Sequence, residues 1–369
     1  MGAETNLKES YELGRKRVFI YLAKRIASRQ HLISKMSNVT SLSSTKLANA
    51  LSSRSTTLQV IESAAVLLIN LFALAGNALL YLAIRRNPRL RRNTTNLFIL
   101  SLAFSDILMA LLCMPFSAGV FIQGRWVYGQ FVCQIQGIAF FVLAFVSLET
   151  MALVAINRYV NVTKPAVYRR IFTRGRSLKM IIFLWLLCVA YVALFAGLQW
   201  PAFVFDPGKT ICHIKISDRA SRTAWNIITV VIFALLPMAT LFLCYWRVLR
   251  SVRRHNAETL GSLRACTLHA NARALEDIKI SKLILGLIAG FACCWIPSYG
   301  IAYTKLAYPP IAKQRLPQTL WVFLVFSSSA INSVIYGILN RTFRAEILKM
   351  VACRRRGDIA TEEKEMIHL

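Results

Sequence analysis

The sequence predicts an all-α membrane protein, a seven-transmembrane helix bundle with a short amphipathic cytoplasmic eighth helix. Hydrophobic residues make up 56% of the 369 residues, and the mean hydropathy is +0.51, which is typical of membrane proteins. Segments long and apolar enough to cross a hydrocarbon core of about 30 Å lie at 58–84, 96–122, 131–157, 179–203, 224–249, 278–304 and 317–339. Basic residues are concentrated in every second loop between these segments.

The alternation of charge predicts the orientation in the membrane. The formal net charge is +29, and most basic residues outside the termini fall in the first, third and fifth loops. Because cytoplasmic loops carry an excess of Lys and Arg, we place these loops and the C-terminus inside the cell and the N-terminus outside. The membrane orientation then explains the high positive net charge, and we do not expect nucleic-acid binding.

The chain divides into four parts. Residues 1–57 are polar, basic and rich in Ser and Thr, so we expect a disordered extracellular segment, in which Asn38 begins a glycosylation sequon. Residues 58–339 form the predicted bundle. Residues 340–353 have one apolar face and are predicted to lie as a helix on the inner membrane surface. Residues 354–369 are the cytoplasmic tail.

The predicted topology also indicates on which side of the membrane each cysteine outside the helices lies. Cys133 and Cys212 both face the oxidising extracellular side, so we predict a disulfide between them. Cys353 precedes three arginines at the end of the surface helix, which favours palmitoylation beside a basic patch for anionic membrane lipids. The alternative for Cys353 is an unmodified surface thiol.

The third segment runs from Cys133 to an Asn-Arg-Tyr triplet that ends at Tyr159. At about 1.5 Å per residue it spans roughly 38 Å, so its two ends lie in different aqueous compartments. An arginine at the end of a membrane helix is costly without a partner or a function, which makes Arg158 a functional candidate. Pro237 and Pro297 lie inside the fifth and sixth segments, where prolines kink helices and can act as hinges.

Asp106 is a carboxylate in the middle of the second segment, where an unpartnered charge is costly. Polar residues on other segments that can partner it are Asn77, Ser147, Ser328, Ser329 and Asn332. Two interpretations stay open. One is a hydrated cation held by hard oxygen ligands, and the other is a protonated Asp106 hydrogen-bonded to its neighbours.

Several residues stand at characteristic depths in the predicted segments: Gly76-Asn77, Leu102 to Asp106, Trp126, Cys133 with Cys212, Arg158-Tyr159, Trp185, Pro237 with Tyr245, Cys294-Trp295-Ile-Pro297, and Asn332 with Tyr336. Their combination resembles rhodopsin-like (class A) G-protein-coupled receptors over about residues 58–353. The Asn-Arg-Tyr triplet and a proline-free Asn-x-x-x-Tyr are similar to melatonin receptors and their invertebrate orphan relatives. The resemblance implies a multi-pass plasma-membrane receptor for heterotrimeric G proteins, with no enzymatic activity.

Roles at the cytoplasmic side follow from the resemblance. The residues implied in G-protein coupling are Asn157, Arg158, Tyr159, Tyr245, Asp277 and Tyr336. Arg158 is implied to contact the G protein, and Asp277 to hold Arg158 in the inactive state; alternatively, Asp277 is a carboxylate favoured in a first helical turn. Asn157 replaces the usual acidic residue and Ser333 the usual proline, and we expect both to raise basal activity.

The implied ligand pocket lies in the extracellular half of the bundle. Its residues are Gln136, Phe140, Phe141, Ala144, Thr229, Trp295, Ser298, Tyr299, Gln318 and Phe326. Phe140 stands where amine receptors carry an aspartate, and Phe326 stands where opsins carry the retinal lysine, so we expect neither a biogenic amine nor retinal. An allosteric sodium ion at Asp106, Ser147 and Asn332 is the implied cofactor, with no other cofactor expected.

We therefore expect a neutral or amphipathic ligand, melatonin-like or lipid-like, although Phe195 replaces a polar amide of melatonin receptors and argues against melatonin itself. Alternatives are a peptide ligand on the outer loops and a ligandless, constitutively active receptor. A membrane transporter or channel is the alternative of a different class, but no inverted repeat is apparent. No catalytic motif is present. The tail beyond Cys353 has Thr361 as its one hydroxyl, so we expect weak arrestin binding.

Overall fold

The computed structural model describes residues 44–198, 200–261, 268–307, 314–339 and 343–349, with side chains described for these ranges except 252–284 and 305–307. Asn38, Cys353 and the tail lie outside the described residues. Within them, seven helices are long and apolar enough to cross a membrane. The membrane helices, first to seventh, are Thr56–Arg86, Thr95–Gln123, Gly129–Thr163, Arg174–Gly197, Arg219–Ser251, Leu285–Thr304 and Arg315–Leu339. The predicted seven-transmembrane fold is confirmed.

Several membrane helices have local irregularities. The second consists of Thr95–Leu112 and Met114–Gln123, which meet at Cys113. The fifth begins as Arg219–Val230, passes through a π-helical turn at Val231–Leu235, and continues from Leu236 to Gly261. The sixth belongs to a longer helix, Leu268–Ala307, which contains Pro297. Short helices, Pro88–Arg92 and Pro165–Ile171, follow the first and third membrane helices.

The fourth helix ends earlier than the sequence predicts. We predict a segment up to residue 203, but the helix ends at Gly197. Pro201 explains the difference, because a proline has no N–H to donate and disfavours helical geometry in the residue before it. The chain beyond Pro201 enters a β-strand at Phe203.

An antiparallel hairpin lies at the end of the bundle that is predicted to be extracellular. Its strands are β1, Phe203–Asp206, and β2, Ile211–Ile214. The Cys133–Cys212 disulfide, with a Cα–Cα distance of 5.4 Å, fastens β2 to the third helix and confirms the predicted bond. On the same helix, a Cβ at Gly137 would lie 2.5 Å from Cγ of the buried Phe203, so glycine is needed for β1 to pack this closely.

The expectation that residues 1–57 are disordered is wrong for their last part, because residues 44–52 form a helix. Leu47 and Leu51 are one turn apart on this helix, and both are buried. Two apolar side chains on one face are enough to anchor a short helix when tertiary contacts cover them. We call residues 44–52 the N-terminal helix.

The third helix lies at the centre of the bundle and carries buried residues along most of its length. At the cytoplasmic end, residues 343–349 are helical, which agrees with the predicted eighth helix over the part that is described. Phe343 of this helix is buried against Tyr336, with ring centroids 5.6 Å apart. This contact joins the eighth helix to the seventh.

Candidate functional site

Arg158 and Tyr336 lie near each other at the end of the bundle that is predicted to be cytoplasmic. Arg158 is half-buried on the third helix, and Tyr336 is fully buried on the seventh. Tyr159 faces the fifth helix, where Arg247 Nη1 donates a hydrogen bond to the phenol oxygen at 3.4 Å. The third, fifth and seventh helices therefore converge around the Asn-Arg-Tyr triplet.

Asn157 is buried beside Arg158 and points toward the second helix. Its Oδ1 accepts a hydrogen bond from Thr95 Oγ1 at 2.8 Å, whereas its Nδ2 has no hydrogen-bond partner. Tyr245 is half-buried on the fifth helix. The side chain of Asp277 lies outside the described residues, so its contact with Arg158 stays a prediction.

A polar cluster lies at the middle of the membrane between the second, third and seventh helices. Asn332 Nδ2 donates to Asp106 Oδ2 at 3.1 Å, and Ser147 Oγ donates to Asp106 Oδ1 at 3.4 Å. Ser105 and Ser147 share a hydrogen bond of 3.1 Å. The three residues predicted to form the sodium site are thus brought together by three different helices.

The remaining predicted partners of Asp106 differ in role. Asn77 Nδ2 donates to the carbonyl of Ser329 at 2.8 Å, which joins the first helix to the seventh. Ser328 donates within its own helix, to Val325 at 2.7 Å. The Oδ1 atoms of Asn77 and Asn332 are buried without a hydrogen-bond partner. The Asn332 oxygen, with the Asp106 carboxylate and the Ser147 hydroxyl, suits a hard cation such as Na⁺.

Aromatic rings fill the extracellular half of the bundle. Phe140 contacts Phe141, Trp321 and Phe326, with ring centroids 5.4, 5.8 and 6.2 Å away. Ala144 is buried one turn below Phe140 on the third helix. This region is apolar, as the predicted ligand pocket requires.

Polar groups around these rings are mostly paired within the protein. Gln136 accepts from the Cys212 N–H at 2.8 Å and donates to the Cys113 carbonyl at 3.3 Å. Thr229 and Tyr191 share a hydrogen bond of 2.8 Å. Ser298 donates to the carbonyl of Cys294 in its own helix at 2.7 Å. These internal bonds reduce the number of groups that are available to a ligand.

The fifth and sixth helices are linked at the level of the aromatic cluster. Tyr299 donates its phenol hydrogen to the Phe233 carbonyl at 2.9 Å. Phe233 lies in the π-helical turn, a feature frequent at functional sites. Trp295 lies one turn below Tyr299, with the ring centroids 5.6 Å apart, and its Nε1 is buried without a hydrogen-bond partner.

Sequence reasoning missed Tyr191 and Trp225 as members of this cluster. Their rings are stacked with centroids 4.9 Å apart, and Tyr191 also donates to the Trp225 carbonyl at 3.0 Å. Trp225 lies four residues before Thr229, which places both on the same helix face. Helical spacing from the predicted pocket residue Thr229 could therefore have identified Trp225.

Comparisons with known proteins agree with this geometry. The model of the rhodopsin family of seven-transmembrane receptors matches residues 76–336. The chain is 28% identical over 293 residues to a Gq-coupled rhodopsin of Mizuhopecten yessoensis, covering 78% of this chain and 58% of that rhodopsin. It is 26% identical over 283 residues to melatonin receptor type 1B-B of Danio rerio, covering 75% of this chain and 77% of the receptor.

The bundle also resembles a solved structure. Squid rhodopsin superposes with a TM-score of 0.70 and 22% sequence identity, covering 81% of this chain and 87% of squid rhodopsin. At this identity the likeness shows the fold. The chain carries no lysine between residues 317 and 339, and Phe326 occupies the inner face of the seventh helix.

Proposed function

The chain belongs to the rhodopsin family of seven-transmembrane receptors, and on this premise we propose that it transmits an extracellular signal to heterotrimeric G proteins by outward movement of its sixth helix. An activating ligand binds the state with an open cytoplasmic end more tightly and shifts the population toward it. This family consists of receptors, which are not enzymes.

The different contacts of the sixth helix on the two sides of Pro297 are the observation that carries this proposal. Toward the extracellular side, Tyr299 ties the helix to the fifth helix through the Phe233 carbonyl. Toward the cytoplasm, Gly286 and Gly290 face the seventh helix, and a Cβ at Gly290 would lie 2.7 Å from Ile335 Cδ1. The half of the helix beyond Pro297 is fixed to the fifth helix, whereas the half before it meets the seventh helix through glycines. This arrangement suits outward movement of the cytoplasmic half about the proline.

The proposed ligand is small, neutral or amphipathic, with aromatic or lipid character. The predicted pocket residues include neither an acid nor a base, so they provide no counter-ion for a charged ligand. Most of their polar groups are paired within the protein, which leaves shape and aromatic contact as the main sources of recognition. Trp295 Nε1 is a buried donor without a hydrogen-bond partner, and it suits a ligand acceptor at the pocket floor.

Packing of the hairpin favours a second candidate, a receptor active without a ligand. Phe141 is enclosed by the hairpin residues His213 and Phe203, with ring centroids 5.2 and 6.0 Å away, and by Trp225 at 5.5 Å. These rings fill space in the predicted ligand pocket. A hairpin that fills the pocket can stabilise the active state in place of a ligand.

A G-protein dissociation assay across all G-protein families tests the proposal, first without ligand and then with a library of neutral and amphipathic compounds. We expect dissociation of at least one G-protein family, and its loss in Arg158→Ala at equal surface expression. A signal without any ligand favours the second candidate. A signal that is unchanged in Arg158→Ala contradicts the proposal.

Sodium is the proposed allosteric ligand of the Asp106 cluster. Asp106 supplies the negative charge, and Ser147 and the orphaned Asn332 Oδ1 supply neutral oxygen ligands. We expect NaCl, compared with choline chloride, to raise the thermal midpoint of the purified receptor. The same comparison in Asp106→Asn should show no difference, and an equal rise in both contradicts sodium binding at this cluster.

A further inference from the structure

The N-terminal helix lies over the extracellular mouth of the bundle. A Cβ at Gly208, in the turn of the hairpin, would lie 3.2 Å from Leu47 Cδ1 and 3.2 Å from Gln318 Cγ. The N-terminal helix, the hairpin turn and the seventh helix therefore meet at one point. Gln318 belongs to the predicted ligand pocket, so this contact connects the N-terminal helix to the pocket roof.

Burial of the hairpin turn supports the same arrangement. Pro207, Gly208 and Thr210 are buried, although a turn at the tip of an extracellular hairpin is ordinarily exposed to water. Leu47 covers Gly208 directly. On the opposite side, the Cys133–Cys212 disulfide fastens the hairpin to the third helix.

Glu62 on the first helix holds the N-terminal helix in this position. Its Oε2 accepts from Arg54 Nη1 at 2.6 Å and also from Arg315 Nη2 at the start of the seventh helix. The exposed fractions of the Arg54, Glu62 and Arg315 side chains are 3%, 10% and 13%. A carboxylate that serves two buried guanidinium groups cannot be removed without leaving both charges uncompensated.

Arg54 extends these contacts to two further elements. Its Nε donates to the Leu51 carbonyl at the end of the N-terminal helix at 2.6 Å, and its Nη2 donates to the Phe121 carbonyl of the second helix at 2.7 Å. The guanidinium also lies 5.9 Å from the centroid of the Phe121 ring. One side chain thus connects the N-terminal helix to the first and second membrane helices.

We propose that residues 44–55 form a lid over the ligand pocket and that Glu62 is the latch that keeps it closed. A ligand that arrives from the water over the lid reaches the pocket only after the Glu62 latch opens. The lid therefore selects small ligands over folded peptides, because a peptide needs the lid displaced throughout binding. This selection rests on the proposed receptor function, whereas the lid itself does not.

Cysteine accessibility on intact cells tests the lid. The reporter is Gln318→Cys, which lies beneath the lid, and the probe is a membrane-impermeant methanethiosulfonate applied to the full-length receptor. We expect Glu62→Gln to increase the labelling rate of the reporter about tenfold, because a neutral amide holds the two arginines far less tightly and shifts the lid toward its open state. The chain with native Gln318 gives the background rate.

A matched control separates the latch from a general loss of extracellular charge. Asp218 is an extracellular carboxylate that caps the fifth helix, where it accepts from the Ser221 N–H at 2.6 Å. This backbone bond lowers the pKa of Asp218, so the control residue carries a charge at neutral pH. Asp218→Asn keeps the cap, and we expect it to leave the labelling rate unchanged.

A disulfide that locks the lid provides a second test that leaves the latch intact. A Cβ at Gly124 would lie 3.8 Å from Ser52 Cβ, within the disulfide range of about 3.5–4.5 Å. We expect the oxidised Ser52→Cys/Gly124→Cys pair to slow labelling of the Gln318→Cys reporter about tenfold. Mild reduction, with the reductant removed before the probe is added, should restore it after subtraction of the labelling that the same reduced pair shows with native Gln318. Because Gly124 has a φ of 72°, the single variant Gly124→Cys controls for backbone strain, and Ser52→Cys controls for the second thiol.

The outcomes separate the lid from the receptor function. Equal labelling in the oxidised pair and the reduced pair, or no increase in Glu62→Gln, contradicts the lid. If Glu62→Gln does not reach the cell surface, the disulfide pair decides alone. Labelling needs no G protein, so the expected labelling rates without any G-protein signal overturn the proposed function and leave the lid standing.

Discussion

Asn157 places an amide where it can change the resting activity. Its Oδ1 is bonded to Thr95 and its Nδ2 has no hydrogen-bond partner. Asn157→Asp replaces that Nδ2 by a carboxylate oxygen next to Arg158. We expect ligand-free G-protein activation to fall about tenfold, because an added ion pair of about 1.4 kcal/mol favours the inactive state by that factor. The measurement is G-protein dissociation at matched surface expression.

Asn157→Ala serves as the control for this charge. It removes the hydrogen bond from Thr95 Oγ1 and adds no charge. If ligand-free G-protein activation falls as far in Asn157→Ala as in Asn157→Asp, loss of the amide causes the effect and the charge argument is contradicted. Arg158→Ala in both backgrounds should abolish the difference between them.

The first and seventh helices approach each other where a glycine meets a serine. A Cβ at Gly76 would lie 2.8 Å from Ser333 Cβ. We expect Gly76→Ala to lower the free energy of unfolding by about 1–3 kcal/mol, since overpacking forces the helices apart. Thermal unfolding of the purified receptor measures the effect.

Gly300 offers the matched glycine control. It lies in the sixth helix, and a Cβ there meets nothing within 4 Å. We expect Gly300→Ala to leave the thermal midpoint unchanged or raise it slightly, because alanine has the higher helix propensity. The double variant Gly76→Ala/Ser333→Gly should recover most of the loss, and a failure to recover it contradicts close packing as the cause.

The link between the fifth and sixth helices rests on one phenol group. Tyr299→Phe keeps the ring and leaves the Phe233 carbonyl without the donor at 2.9 Å. We expect a loss of about 1–2 kcal/mol in the free energy of unfolding, because a buried acceptor loses its partner. Tyr303 stacks on Tyr299 with centroids 6.1 Å apart, and Tyr303→Phe is the matched control, for which we expect no loss of that size.

At the scale of the whole molecule, sequence predicted best what depends on local composition. The seven membrane spans follow from runs of apolar residues, and the cost of a charge in the membrane predicts polar partners for Asp106. The choice of Ser147 and Asn332 among those partners follows from the family resemblance. The N-terminal helix was missed because Leu47 and Leu51 are isolated in a polar segment. Their burial depends on a hairpin turn at Gly208, far away in sequence.

The aromatic cluster shows the same limit. The family resemblance predicted an apolar pocket around Phe140 and Phe141, but not that the hairpin residues Phe203 and His213 pack against Phe141. Such contacts depend on where the hairpin lies over the bundle. The Cys133–Cys212 disulfide, which the topology predicted, fixes only one point of it.

The charge distribution of the whole molecule leads to the predicted orientation, with the N-terminus outside the cell. Translocating the basic loops costs more than leaving them in the cytoplasm. Epitope tags at the two termini test this on intact and permeabilised cells, and we expect the N-terminal tag alone to be stained without permeabilisation. Glycosidase should reduce the mass of the receptor but not of Asn38→Gln. Asn161→Gln, at a sequon predicted to be cytoplasmic, should behave like the unaltered receptor, and loss of the glycan in that variant contradicts the orientation.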